Sequence, residues 1–252
     1  MLINSYSTKK GFKLKFVGPP LKEGPKPAFF YFALSAQESL SKDPFNQIVA
    51  ALQSKKIRVF SATLPGHENN LPPENALNVW ADKMTQESLL LPELIQDLKE
   101  AVDSLFDEGA IEKGKCAVGG LSRGAFIAFH LAAASKEIDT VLAFAPLTRL
   151  SDAKEFKEIA HLPQVHALDL EQQAKNLFNK RVRIYIGNDD RRVFTSHSFS
   201  LTHLLAKRAR ENRIYSSPIE MIIGPSIGYL GHGTSKKTFE KGADWIKQEY
   251  SL

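Results

Sequence analysis

The chain has 252 residues, 43% of them hydrophobic and 24% charged, the balance of a globular protein with enough apolar mass for a sizeable core. No stretch approaches the roughly twenty apolar residues that cross a bilayer, and Met1 to Pro20 holds no apolar run of signal-peptide length, so neither a span nor a leader is expected. A net charge of +5 raises the question of a nucleic-acid partner, but the basic residues are dispersed and no nucleic-acid motif accompanies them, so none is expected.

Short β-rich runs alternate with helical patterns along most of the chain. Gly11–Val17 is predicted as a first strand, closed by Gly18-Pro19-Pro20, and Ala28–Leu34 is a continuous apolar run, the mark of a strand covered on both faces. A helix is predicted over about 43–55, followed by a strand at Ile57–Ser61 that ends in the turn Leu64-Pro65-Gly66-His67. Beyond Pro72-Pro73, helical patterns cover about 74–86 and 91–106. A strand at Lys115–Gly119 leads to a helix at Ala125–Ala134, and Thr140–Phe144 is the next strand. The stretch 146–179 is too long for one connection; about 168–178 fits a crossover helix, and the remainder, about 149–166, is expected to form a small cap.

Val182–Ile186 and Ile219–Ile223 are the last strands. Between them, Leu201, Leu204, Leu205 and Ala209 share a helical stripe opposite Lys207, Arg208, Arg210 and Arg213, which makes that basic group a solvated face. A closing helix over about 234–250 places Phe239, Ala243, Ile246 and Tyr250 on one stripe. The repeated strand-helix-strand order predicts an α/β fold: one domain with a doubly wound, mostly parallel sheet, helices on both faces and a single insertion. The lone Cys116 cannot form an internal disulfide and reads as a buried, inert thiol, so a reducing cytoplasm is the simplest location.

The most informative stretch is Gly120-Leu121-Ser122-Arg123-Gly124, a G-x-S-x-G at a strand-to-helix junction. So sharp a turn forces the serine into a strained backbone conformation with its hydroxyl clear of the chain, and the flanking glycines let strand and helix cross. A serine hydroxyl is a poor nucleophile until a base takes its proton, and that base needs an orienting acid. In doubly wound sheets such groups lie beyond the carboxyl ends of strands. Two downstream loops qualify. Gly187-Asn188-Asp189-Asp190-Arg191-Arg192-Val193 offers two candidate acids, and Gly224 to Gly233 offers His232 between glycines just before the last helix.

These features resemble an α/β-hydrolase over nearly the whole chain, from about Phe12 to Tyr250. The pentapeptide resembles the nucleophile elbow. Gly187-x-x-Asp190-x-Arg192-Val193 resembles the acid loop of the prolyl-oligopeptidase-like and esterase branches, and Gly231-His232-Gly233 falls where the family's histidine lies. Leu64-Pro65-Gly66-His67 resembles the turn after an early strand in many members. The resemblance implies Ser122 as nucleophile, His232 as general base and then acid, and Asp190 as the residue that holds the imidazole, with Asp189 as a loop-capping side chain. It assigns one oxyanion-hole donor to the Arg123 N–H and the other to the loop Ser35-Ala36-Gln37-Glu38-Ser39, with Ser35 preferred over Ala36. That loop departs from the family in lacking a His-Gly before the donor.

The other histidines have simpler readings. His130, in a small-residue helix, is expected to be a satisfied core group, and His161 and His166 to lie on the surface of the cap. His197 and His203 have no carboxylates at metal-ligand spacing, so no metal site is expected. No G-x-G-x-x-G or phosphate loop is present, so no cofactor is expected. The implied activity is hydrolysis of a carboxylic ester or related acyl bond in a small-molecule substrate, by a monomer or homodimer. Two alternatives stand beside it: a serine peptidase or amidase acting on small peptides, and a non-catalytic binding protein on the same scaffold.

Overall fold

The computed structural model describes residues 2–52, 56–68, 71–86 and 89–252, organised around one eight-stranded sheet. The strands are β1 (Asn4–Ser7), β2 (Lys13–Val17), β3 (Lys26–Phe32), β4 (Arg58–Ser61), β5 (Ile111–Leu121), β6 (Thr140–Phe144), β7 (Arg181–Gly187) and β8 (Ile219–Gly224). Their spatial order is β1-β2-β4-β3-β5-β6-β7-β8. The pairs β1–β2 and β2–β4 are antiparallel and the rest are parallel, so the mostly parallel α/β sheet expected from the sequence is present.

The helices are α1 (Ala36–Ser41), α2 (Gln47–Leu52), α3 (Ala76–Thr85), α4 (Leu90–Asp107), α5 (Arg123–Ala134), α6 (Pro163–His166), α7 (Ala174–Leu177), α8 (Thr195–Glu211) and α9 (Lys236–Tyr250). They cover both faces of the sheet. On one face Phe30 and Phe60 stack with centroids 5.0 Å apart, within a core that includes Trp80, Leu98, Phe126 and Leu201 from α3, α4, α5 and α8. On the other, Phe29, Tyr31, Phe144 and Tyr185 pack against Leu40, Ile48, Phe239 and Ile246 from α1, α2 and α9. Alternate residues of the β3 apolar run therefore enter different cores, which is why that strand needs no polar face. Fully burying each such ring contributes about 1.5–3 kcal/mol.

Three local differences from expectation have physical causes. β1 carries one buried apolar side chain, Tyr6, and is held by antiparallel pairing to β2, so it has almost no hydrophobic signature. The helix expected over 43–55 begins only at Gln47, after Pro44, and 53–55 lie outside the described residues. The loop expected after β3 is instead α1, started by a serine N-cap: Ser35 Oγ accepts from the Glu38 N–H at 3.2 Å and donates to Glu38 Oε2 at 2.8 Å.

Residues 149–166 hold a 3₁₀ turn at Lys154–Phe156 and the short α6, and they bury Leu150, Phe156 and Val165 against the main core. The crossover helix expected at 168–178 is shorter, a 3₁₀ turn at Leu170–Gln173 continued by α7. His161 and His166 are exposed on this segment. Among the described residues no helix is long and apolar enough to cross a membrane, and no cluster of three or more His, Cys, Asp or Glu has metal-binding geometry. Cys116 is fully buried, and burial pushes its thiol well above the usual range, as an inert thiol requires.

His130 is also a core group, 5% exposed, with Nε2 2.9 Å from the Leu168 carbonyl, to which it donates. Burial lowers its pKa from 6.5 to about 4, so the folded state resists a proton that the unfolded chain accepts. The stability this represents is intact above pH 6.5 and is lost as pH falls from there toward 4, on the order of 3 kcal/mol in all. Between about pH 7 and about pH 4.5, His130→Gln is expected to lose about 2 kcal/mol less stability than the parent, read from urea midpoints. Parallel losses in the two proteins would refute this assignment.

Candidate active site

β5 ends at Leu121 and α5 starts at Arg123, leaving Ser122 alone to turn the chain, with φ 56° and ψ −118°. Its N–H donates to the Phe144 carbonyl at 2.9 Å, and its carbonyl accepts from Ala125 and Leu147, so both ends of the strained peptide are tied. The flanking glycines are steric requirements. A Cβ on Gly120 would lie 2.3 Å from the Gly124 carbonyl carbon, and one on Gly124 would lie 2.0 Å from the Phe32 carbonyl oxygen. No side chain fits there without parting helix from sheet.

The loops after β7 and β8 bring two further groups to this hydroxyl. His232 Nε2 lies 2.9 Å from Ser122 Oγ, and His232 Nδ1 lies 2.7 Å from Asp190 Oδ2. A carboxylate only accepts, so Nδ1 carries the proton and Nε2 is free to accept from the serine hydroxyl. The Asp190 carboxylate is fully buried, and its other oxygen accepts from the Arg192 and Val193 N–H groups at 2.9 and 3.1 Å. Thr195 Oγ1 accepts from the Asp190 N–H at 3.0 Å and donates to the Gly187 carbonyl at 2.6 Å, which closes the loop on itself. Gly231 makes the meeting of the two loops possible. It takes φ 74°, and a Cβ there would lie 2.3 Å from the Asp189 carbonyl oxygen.

A cavity of about 330 Å³ opens over Ser122 and His232, walled by apolar groups that include Leu34, Phe45, Leu121 and Phe239. From the segment after β3 it is Ala33 and Leu34 that line the cavity, not Ser35 or Ala36. The amides there are nearly all engaged. Ala33 and Leu34 donate to Ser39 Oγ at 3.2 and 3.0 Å, and Ala36 donates to Thr63 Oγ1 at 3.1 Å, which leaves the Ser35 N–H without a partner among the described residues. The Arg123 N–H, at the first position of α5, has no intrahelical acceptor.

No family model and no curated protein matches the chain. Solved structures do. Prolyl oligopeptidase B from Galerina marginata aligns over 100% of the chain and 37% of its own, with TM-score 0.67 and 16% identity. The acylaminoacyl peptidase of Pyrococcus horikoshii aligns over 99% of the chain and 41% of its own, with TM-score 0.67 and 14% identity. TT1662 from Thermus thermophilus aligns over 100% of both chains, with TM-score 0.70 and 14% identity. The chain thus spans well under half of the two peptidases and all of the third protein. It has the α/β-hydrolase fold.

Within this α/β-hydrolase fold, Asp189 differs from its expected role. Its side chain is 71% exposed and lies 3.5 Å from Arg191, and it accepts no capping hydrogen bond among the described residues; its backbone N–H, donating to Ser226 Oγ at 2.7 Å, does the holding. Asn188 and Asp189 form a turn beyond β7, and Asp190, the residue after it, is the one whose carboxylate is buried. His197 lies 3.3 Å from Asp152, and His203 stacks against Phe199 on α8.

Two groups beside the site were not singled out from the sequence. His67 is 4% exposed, and its Nε2 accepts from Arg123 Nε at 3.0 Å, while Arg123 Nη2 donates to the Pro73 carbonyl at 2.7 Å. A guanidinium only donates, so this imidazole is neutral. Burial and the neighbouring Arg123 lower its pKa to about 4. Arg192, in the acid loop, makes a two-pronged pair with the buried Glu155 carboxylate at 2.7 and 3.2 Å, tying that loop to the 149–166 segment. The sequence signal for the first was the Leu64-Pro65-Gly66-His67 turn, where the histidine stood without a visible partner; Arg192 stood in the acid-loop motif, but nothing signalled Glu155 as its partner.

Gly124→Ala is expected to destabilise the protein by at least about 2 kcal/mol, because its Cβ meets backbone that cannot move aside. Thermal or urea denaturation measures this, and a shift below about 0.5 kcal/mol would contradict the crossing described.

Proposed function

We propose that the protein is a serine hydrolase that cleaves a carboxylic ester or related acyl bond through an acyl-enzyme. The observation that carries this reading is the continuous chain from Ser122 Oγ through the His232 ring to the buried Asp190 carboxylate, with links of 2.9 and 2.7 Å. Ser122 Oγ attacks the acyl carbon and forms the new C–O bond as its proton passes to His232 Nε2. The tetrahedral intermediate collapses, and the leaving group departs with that proton. Water then attacks the acyl-enzyme, giving a proton to Nε2, and the second collapse returns it to Ser122 as the acid is released. Asp190 holds the tautomer and stabilises the imidazolium at each stage.

Charge developing on the carbonyl oxygen needs donors already in place. The Arg123 N–H is the first. For the second, the segment after β3 offers the Ser35 N–H, which has no partner among the described residues although Ser35 itself does not line the cavity, and the Ser39 hydroxyl that occupies the Ala33 and Leu34 amides fixes the preceding turn. Residues 149–166 act as a small cap on the one domain, braced to the acid loop through Glu155 and Arg192. The apolar cavity suits the uncharged part of an acyl substrate.

The peptidase reading rests on two of the structural neighbours being named as peptidases. Turnover of short acyl esters against aminoacyl amides separates the two. A fluorophosphonate probe is expected to label Ser122 in the folded protein and to leave Ser122→Ala unlabelled; an unlabelled parent would remove the hydrolase reading and favour a binding scaffold. Asp190→Asn is expected to lower kcat on esters by about a thousandfold or more, through loss of the required tautomer. Asp189→Asn should stay within about threefold of the parent, since its ion pair is exposed. Equal effects of the two would reject Asp190 as the orienting acid.

A further inference from the structure

Arg123 is half-buried directly after Ser122, and it is satisfied differently from other guanidinium groups that the fold encloses. Arg58, fully buried, directs Nε, Nη1 and Nη2 all at carbonyl oxygens, those of Pro19, Pro20, Gly24 and Ala110. Arg192 has both oxygens of Glu155. Arg123 has neither arrangement. Nε and Nη2 are held by His67 and Pro73, and among the described residues no carboxylate lies within ion-pair distance and Nη1 makes no hydrogen bond. Nη1 is not fully enclosed, so it is reached from open space, and Arg123 is one of the residues lining the cavity.

The surroundings fix this guanidinium without neutralising it. His67 accepts as a neutral ring, so it sets direction and contributes no charge. Arg192 is near enough to repel Arg123, and the two share one buried carboxylate, Glu155, which Arg192 already engages. Glu74 also attracts Arg123, but from an exposed position where solvent and salt weaken it. What remains is a pre-aimed cation with its Nη1 edge unfilled. A carboxylate matches a guanidinium edge with two parallel N–H···O bonds. A phosphate dianion would call for further donors, and the sequence offers no phosphate loop here.

We infer that the Nη1 edge of Arg123 is an anion subsite of the Ser122 centre, and that the acyl compound cleaved there carries a carboxylate. This rests on the serine-hydrolase reading. The carboxylate pairs with Arg123 while the uncharged part fills the apolar cavity. The net charge of +5 assists the encounter at low ionic strength.

The test uses two matched ester pairs: p-nitrophenyl hemiglutarate against p-nitrophenyl valerate, and 3-carboxyphenyl acetate against 3-methylphenyl acetate. They place the charge on the acyl side and on the leaving-group side respectively. In the parent protein, one charged ester is expected to exceed its neutral partner in kcat/KM by about tenfold or more, and that ratio should shrink as salt is added. Arg123→Gln should bring the ratio to within about twofold of unity, with Arg123→Lys between the two. The parent's ratio and its salt dependence need no variant to fold.

The same preference is read without turnover, as protection of Ser122 from the fluorophosphonate probe by monomethyl glutarate relative to methyl valerate. A labelled Ser122 with no preference for charge in either readout overturns the anion subsite alone, as does a preference that survives Arg123→Gln. Failure of the probe to label Ser122 overturns the hydrolase reading, and the subsite falls with it.

Discussion

The crossing of α5 over β5 and β3 is the constraint on which the site depends. Backbone approaches backbone so closely at Gly120 and Gly124 that a single Cβ would overlap a carbonyl group. That approach allows the chain only one residue in which to turn, and Ser122 takes positive φ as a consequence. Strain at such a residue persists only where its surroundings over-determine it. Here they do: β6 accepts its N–H through Phe144, and α5 and the β6 loop donate to its carbonyl. The two cores on either face of the sheet, packed to aromatic contact, hold the strands that fix these partners.

Around the elbow, polar groups are oriented mainly by backbone. Asp190 is held by two amides and a threonine-closed loop, and Gly231 lets the histidine loop approach near enough for the imidazole to bridge to Ser122. Amides of a rigid loop do not reorganise when charge moves, which is the property the proposed proton relay needs. The charged layer beside this relay is built differently. Its long side chains, Arg123, Arg192 and Glu155, come from three separate segments and meet only through packing. His67 stays neutral within it because burial and a neighbouring guanidinium both oppose its protonation.

The amino-acid sequence by itself determined the sheet's interior, the elbow, and the acid and histidine loops. These are local matters: apolar runs must be buried, a turn between Gly120 and Gly124 strains the one residue it holds, here a serine, and loop residues at strand ends share one edge of a parallel sheet. Tertiary structure alone decided the rest. β1 exists through pairing with β2, because Asn4-Ser5-Tyr6-Ser7 has one apolar residue to mark it. The burial of Asp190 against His232, a place the resemblance had already assigned to it, came from the meeting of the loops after β7 and β8, and the loop after β3 became a helix once the Ser35 side chain capped it. The company of Arg123 was the least legible, since His67, Pro73 and Arg123 lie up to 56 residues apart and such polar contacts leave no periodic trace in sequence. Hydrophobic burial writes a repeating pattern into the chain, whereas a single long-range hydrogen bond writes none.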